Sequence, residues 1–452
     1  MKLSARVPSR RSHRLPTRLP TRLAVPLAAL ALAGVTATGC APGTSAGNGA
    51  SEDNKSGTLR VWLFQEVNNK PKADIVQDAV SAFTARHDDV KVDVQYIPVD
   101  SRAEKMKAAF NDPSSAPDLI EYGNTDTAGY VADGGLADVT EEFGDWDEAS
   151  DTDPAAKESV TVDGKVYGAP LFVGVRALYY RTDVFDDLNL EVPTTLGEVA
   201  ATAKKIRKER PELYGLAVGG ANTYGAMPFL WAHGGELAEE KDGGHTAAVD
   251  SPEAKKGIKA YTDLFGTDNC PAAKCAQMGG NDNVQTFAGG KSAMVVGGDF
   301  SRQAMEDGAV KGKYKVVPLP GVNKGDIAPA FAGGNNLGVL KSSSHRTLAV
   351  DLMRELAGKE TQRKLFDAMG FLPTFSDTRQ QVASDEPFVE PFVRTLEAGA
   401  KFVPATPAWA QIDAGQVLPT MLQEVATGRK DVDTAARDAA KKMDDAFQKA
   451  QD

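Results

Sequence analysis

The stretch FAGGKSAMVVGGDF, Phe287 to Phe300, holds the most obvious candidate for nucleotide chemistry in the chain, Gly289-Gly290-Lys291-Ser292. A phosphate-cradling loop needs another glycine five residues before its last one, so that successive backbone N–H groups wrap the phosphates. Gln285 stands there, and no strand pattern leads into it. The stretch reads instead as a helix end, a glycine break and a short apolar strand that delivers Asp299 and Phe300 at its tip. The five histidines, His13, His87, His233, His245 and His345, show no metal-ligand spacing. Cys270 and Cys275, in NCPAAKC, are spaced to close a small surface loop through a disulfide. Metal binding is the rival reading, but no histidine or second cysteine pair lies near them.

Charge and the N-terminus set the compartment. Seven of the 51 basic residues precede Cys40 and none of the 62 acidic ones does, so the remainder carries a balance of −18. That excess disfavours nucleic acid, which wants a basic face. The basic start is followed by LAVPLAALALAGV, Leu23 to Val35, too short to span a bilayer and suited to an export signal over 1–39. The small residues of TATGC resemble a lipoprotein signal, which implies lipidation of Cys40. Ser9 to Leu15, SRRSHRL, resembles a twin-arginine signal with His13 out of pattern, so the general and twin-arginine routes both stay open. Residues 40–56 then form a polar tether. The expected location is the outer face of the cell membrane, with contact through the lipid alone.

The mature body alternates between two periodicities. TLRVWLF reads as a strand, KADIVQDAVSAFTARH as a helix, VKVDVQYIPV as a strand, SRAEKMKAAFN as a helix and PDLIEYG as a strand. Such alternation predicts a parallel sheet covered by helices on both faces. Ligands of these sheets sit beyond the carboxyl ends of the strands. That draws attention to Phe64, Gln65 and Glu66 after the first strand. A long extended stretch, VDGKVYGAPLFVGVRALYYRTDVF, reads as a connection into a second α/β lobe. There PTTLGEVAATAKKIRKE begins a helix with a capping box at Thr195 and Glu198.

Six segments, in order, carry a resemblance to a known family: PDLIEYGNTDTAGYVADGGLADVT, VDGKVYGAPLFVGVRALYYRTDVF, PTTLGEVAATAKKI, FAGGKSAMVVGGDF, FAGGNNLGVLKSSSHRTLAVDLMRELAGKETQRKLFDAMGFLPT and VATGRKDVDTAARDAAKKMDDAF. The chain resembles the sugar-type extracellular solute-binding proteins of ABC importers, the family that includes maltose-binding protein. The resemblance implies an α/β fold of the periplasmic-binding-protein type, with two discontinuous lobes and a hinge cleft. Crossings are expected near Phe172 to Arg176, Phe331 to Asn335 and Phe371 to Phe375. One lobe then comprises 57–172 plus 335–370 and the other 174–330 plus 375–452.

A neutral sugar asks for aromatic platforms against its C–H faces and planar polar groups for its hydroxyls. The resemblance places Tyr122, Asn124, Thr125 and Asp126 after the third strand in the site, and Tyr224 in the second lobe. Asp299 and Phe300 join from the strand tip. Gly333 and Gly334 are expected where backbone nears the ligand, with Asn335 as donor and acceptor. Trp409, on the proline-bounded stretch PATPAWAQ, is expected as an exposed loop aromatic, with Gln411 beside it. Trp62 and Trp231 are expected in the core. Arg176 is the only cation expected near the cleft, which disfavours an anion. The implied partners are a carbohydrate and the transmembrane subunits of an ABC permease, the protein being a monomer without cofactor, metal or catalytic group. The competing readings are an exported glycoside hydrolase, with paired carboxylates about 5 to 9 Å apart, and a receptor for a non-sugar solute.

Overall fold

The computed structural model describes residues 53–450 apart from 67, 99–100 and 242–243. The export signal, Cys40 and the tether as far as residue 52 lie outside the described residues. Nine strands carry the two main sheets: β1 Gly57–Gln65, β2 Val90–Pro98, β3 Leu119–Gly123, β4 Ala169–Gly174, β5 Arg176–Arg181, β6 Tyr214–Ala217, β7 Ser292–Gly298, β8 Tyr314–Val317 and β9 Gly333–Val339. Six helices matter for the site: α1 Lys70–Thr84, α2 Arg102–Asn111, α3 Thr127–Ala132, α4 Leu196–Glu209, α5 Thr223–Ala232 and α6 Ala408–Ala414.

The first sheet runs β2-β1-β3-β9-β4. β1, β2 and β3 are parallel, as the alternation predicts, whereas β9 and β4 join antiparallel. The two antiparallel strands are the chain's passages between lobes, which local alternation cannot reveal. The second sheet, β8-β5-β7-β6, is also mixed. Each sheet has its own apolar core. Leu59, Val61 and Leu63 of β1 pack with Leu348, Leu352 and Leu356 from the helix Arg346–Ala357. Leu178, Leu216 and Met294 of the second sheet pack with Val199 of α4, Phe229 of α5, and Met443 and Phe447 of the helix Val432–Lys449. Side chains of this size stabilise by about 1.5–3 kcal/mol each when fully buried.

Local signals explain the helix starts. Thr195 accepts the Glu198 N–H at 3.1 Å, and the Glu198 carboxylate accepts the Thr194 N–H at 2.7 Å. That is the expected capping box, with its return bond displaced by one residue. Cys270 and Cys275 are joined by a disulfide, both fully buried. The adjoining Asn269 bonds the backbone of Leu216 in both directions, at 2.8 and 3.1 Å, so this loop pins β6.

The chain passes between the sheets at three places. At the first, β4 ends at Gly174 and β5 begins at Arg176. Val175 between them is held from the second lobe: its N–H donates to the Asp299 carboxylate at 3.0 Å, and the Asp299 N–H donates to its carbonyl at 3.2 Å. At the second, Ala332 separates the short strand Ala330–Phe331 from β9. At the third, Leu372 bridges Val173 while Phe371 stacks on Phe172 with centroids 4.2 Å apart. These places fall within Phe172–Arg176, Phe331–Asn335 and Phe371–Phe375.

A buried ion cluster fixes the carboxyl ends of β1 and β3. The Lys72 ammonium, 1% exposed, donates to both Glu121 oxygens at 2.8 and 3.1 Å, to Glu66 at 3.0 Å and to the Phe64 carbonyl at 3.0 Å. Burial alone lowers the lysine's pKa, but the two carboxylates outweigh it and the pKa is raised. Glu121 also accepts the Phe64 N–H at 2.8 Å and the Asn335 amide at 2.6 Å. One carboxylate therefore ties α1, β1, β3 and β9 together.

Lys72→Met strands the Glu121 charge and should cost about 3–5 kcal/mol by denaturant unfolding. Adding Glu121→Gln should restore at least half of that loss, and a single-variant loss below about 1 kcal/mol contradicts the role assigned to the pair. Burial pushes the Asp299 pKa from 3.8 up to about 7, against the opposing pull of the Val175 N–H and Arg176. A carboxyl raised in the folded state loses stability as pH climbs between the two values, because the native state then holds the extra proton. Asp299→Asn keeps an acceptor for Val175 without the charge. Its melting temperature relative to the parent should therefore rise between about pH 4 and pH 7 and level off above; a pH-independent difference contradicts this.

Candidate functional site

Residues from both lobes converge where the carboxyl ends of β1 and β3 face the tip of β7. On the first lobe, the buried Phe64 stands one residue before the end of β1, and the Arg102 guanidinium of α2 lies 6.0 Å from its ring centroid. Arg102 Nε stands 3.8 Å from Asp126 Oδ2, a buried oxygen that accepts no hydrogen bond. Glu66, partly exposed, has its carboxylate steadied by Lys72 and its N–H by Asn69 at 3.0 Å.

On the second lobe, Tyr224 of α5 stacks on Phe331 with centroids 4.4 Å apart. The Arg176 guanidinium sits over both Tyr224, at 5.6 Å, and Phe300, at 5.7 Å. Phe300 is 46% exposed, the highest of any large apolar side chain among the described residues. Its ring lies against two glycines. A Cβ at Gly298 would come within 2.2 Å of it, and one at Gly174 within 3.5 Å. Any side chain at Gly298 would displace the ring, whereas one at Gly174 would only touch it, so it is Gly298 that lets the ring lie over the strand tip. The Tyr179 hydroxyl donates to the Gly298 carbonyl at 2.6 Å and fixes the tip from below.

The lobes touch where α6 meets Asn124–Asp126 and α3. That contact brings Asp413 of α6 into the fields of Arg102, Asp126 and Tyr224. Burial raises the Asp126 pKa, the Asp413 charge raises it further, and Arg102 opposes both. Partial loss of solvent likewise raises the Asp413 pKa, although the residue is exposed on its helix, again against Arg102. Burial, then the charges of Asp413 and Asp126, push the Tyr224 pKa to about 12. The phenol therefore stays a hydrogen-bond donor at any physiological pH. Two aromatic faces, carboxylates from both sides and two guanidiniums form a surface for a polyhydroxylated solute, with rings for its C–H faces and charge-assisted partners for its hydroxyls.

Of the residues expected from the sequence, Glu66, Asp126, Tyr224 and Phe300 meet here, whereas Phe64, 3% exposed, packs in the same first-lobe core as Tyr122 and offers no surface to a ligand. Gln65 is exposed at the end of β1, while Thr125 is half-buried beside them. The others have different duties. Tyr122 is fully buried in the core of the first lobe with Met106 and Tyr130, so it offers no surface to a ligand. Asn124 donates its amide to the Ala332 carbonyl at 2.9 Å, tying the second crossing to the first lobe. Asp299 is 4% exposed and holds Val175. Gly334 has φ +143°, and a Cβ there would lie 2.1 Å from the Phe172 carbonyl, so its smallness serves β4 rather than a ligand. A Cβ at Gly333 would approach the Phe331 ring at 3.2 Å, and the Asn335 amide is taken by Glu121.

Trp409 corrects its expectation most sharply. It lies in α6, not on a loop, is 3% exposed, and packs in the core of the second lobe. A helix turns about 100° per residue, so Asp413, four positions on, shares its face while the exposed Gln411 points away. Trp231 is in the core as expected, and Trp62 is only partly buried, with the Lys105 ammonium 5.6 Å from its ring centroid. Arg102, Asp413 and Phe331 escaped the sequence reading. Arg102 alone had a usable signal, because it opens the helix after the carboxyl end of β2. Arg176 is therefore not the only cation in the cleft.

A cavity of about 720 Å³ also lies between the lobes, lined by Asn124, Val162, Trp231, Lys401, Phe402 and Pro404 among others. Neither guanidinium reaches it, nor do Tyr224, Phe300, Asp126 or Asp413. Size favours the cavity; the convergence of donors, acceptors and rings favours the cleft, and that convergence is what a polar solute needs. Among the described residues no group of three or more His, Cys, Asp or Glu gathers as metal ligands, and no helix is long and apolar enough to cross a membrane.

Comparison with known proteins places this geometry. The chain is 25% identical over 416 residues to the diacetylchitobiose-binding protein DasA of Streptomyces coelicolor, covering 89% of this chain and 92% of that one. It is 25% identical over 407 residues to a galactooligosaccharide-binding protein of Bacillus subtilis, covering 86% and 90%. Among solved structures, the GacH receptor of Streptomyces glaucescens superposes with TM-score 0.74 at 23% identity, over 87% of this chain and 99% of that one. The sugar-binding protein MalE of Xanthomonas citri gives 0.76 at 22%, over 87% and 98%. These likenesses establish the two-lobe fold. The profile of the bacterial extracellular solute-binding proteins matches residues 78–389, and the chain belongs to that family.

Proposed function

We propose that this protein captures a carbohydrate between its lobes outside the cell and hands it to the membrane subunits of an ABC importer. The observation that carries the reading is the pairing, across one cleft, of the Tyr224 and Phe300 rings with carboxylates from both lobes, Asp126 and Asp413. Relatives named for diacetylchitobiose and galactooligosaccharides support the choice of solute. A solute that touches both lobes binds the closed arrangement better than the open one, and so selects it. Micromolar affinity needs only about −8 kcal/mol, within reach of two stacked rings and several hydrogen bonds. A lipid on Cys40 and a polar tether keep the body beside the permease. Such a relative in Streptococcus pneumoniae is named a solute-binding lipoprotein. Capture needs no cofactor and a single copy of the chain.

One observation supports a second reading. Asp126 and Asp413 both have raised pKa values and come from opposite sides of the cleft, and a glycoside hydrolase keeps one such carboxyl protonated as its acid. A panel of malto-, galacto-, cello- and chito-oligosaccharides separates the two. A receptor returns its solute intact and gains thermal stability from it; a hydrolase releases shorter sugars. Phe300→Ala, at an exposed position, should weaken binding of the best solute about tenfold in calorimetry, roughly 1.4 kcal/mol, with the melting temperature unchanged. Unchanged affinity removes Phe300 from the site.

A further inference from the structure

Arg176 is a partly buried guanidinium that makes no hydrogen bond and no ion pair among the described residues. Other arginines with little exposure are paired: Arg181 with Asp183 at 2.6 Å and Arg379 with Asp153 at 2.6 Å. A guanidinium carries five N–H donors, and leaving them unmatched away from water is unfavourable. The nearest acid, Asp299, cannot serve as the missing partner. Its Oδ1 is taken by the Val175 N–H, and its burial disfavours the charged form. Meanwhile the rings of Tyr224 and Phe300 flank the guanidinium at 5.6 and 5.7 Å. Arg176 is thus held in place, at the lip of the first crossing, with its donors open to the cleft.

We infer that Arg176 is a specificity-determining residue whose donors bind the acyl oxygen of an acetamido group, making N-acetylated amino-sugar oligosaccharides the preferred solutes. The inference rests on the carbohydrate reading above and narrows it. A planar carbonyl oxygen matches the guanidinium edge, and the acetamido methyl suits the flanking rings. A sugar carboxylate also matches Arg176, but Glu66, Asp126 and Asp413 face the same cleft and repel a second anion. A plain hydroxyl at that position is a weaker acceptor and leaves the donors underused. Sites built around a polar partner discriminate strongly against analogues that lack it.

Calorimetry with N,N′-diacetylchitobiose, cellobiose and cellobiouronic acid, which share a β-1,4-linked backbone, tests the assignment. The parent should bind diacetylchitobiose at least tenfold more tightly than either of the others. Arg176→Met should weaken diacetylchitobiose at least tenfold more than it weakens cellobiose, abolishing the preference, with the melting temperature within error. Arg176→Lys, which keeps the charge should the methionine variant fold poorly, should retain part of the preference. Equal affinities in the parent, a preference that survives Arg176→Met, or tighter binding of the uronate each overturn the acetamido assignment. Binding of galacto- or malto-oligosaccharides that ignores Arg176 overturns this inference and leaves the carbohydrate reading standing. If no sugar binds, both fall.

Discussion

The second-lobe face of the cleft hangs on the reciprocal pair of hydrogen bonds between Val175 and Asp299. Val175 is the single residue between β4 of one sheet and β5 of the other. Its N–H and carbonyl are both taken by the residue at the tip of β7. The crossing and the tip therefore move as one piece, and Phe300, next in sequence, is laid over Gly174 and Gly298. The most exposed apolar ring is positioned by the hinge rather than by the lobe surface. A buried carboxyl is a costly way to make this joint, since water no longer solvates its charge. Its benefit is a short, specific acceptor that a small backbone turn cannot supply.

The first lobe uses a parallel device. Glu121 and Lys72 gather the ends of β1 and β3, α1 and the start of β9 around one ion pair. Glu66 emerges from that cluster, and Arg102 and Asp126 stand on the same side of the cleft. On each side of the cleft a fully satisfied polar knot lies beneath residues whose own polar groups are left open. The Arg176 donors are the clearest case. Unmatched groups above matched ones are what a surface awaiting a polar ligand requires.

Much of the fold was legible in the chain. Strand and helix periods gave β1, α1, β2, α2 and β3, the capping box gave the start of α4, and the ordered family segments located the three crossings. The antiparallel β4 and β9 were not legible from periodicity, because a crossing strand carries no sign of which sheet it will join. For the site, residue type was a good guide and residue role a poor one. Asp299, Asn124 and Gly334 have the right chemistry for a ligand, yet each is taken up by a crossing, and Asn335 by Glu121. Sequence cannot tell a glycine that admits a sugar from one that admits a neighbouring carbonyl. Trp409 was misread because prolines at 404 and 407 suggested a loop, whereas Pro407 precedes a helix start, a position proline tolerates well. Arg102 and Asp413 come from opposite lobes and meet only through the tertiary contact at α6.

Where the solute sits is the deciding observation. A crystal structure of the protein with its tightest-binding oligosaccharide measures this directly. We expect a sugar ring against Phe300 and Tyr224, within hydrogen-bond distance of Asp126 or Asp413, with every glycosidic bond whole. A sugar lodged instead in the cavity beside Trp231 and Phe402, or present only as cleaved product, contradicts it.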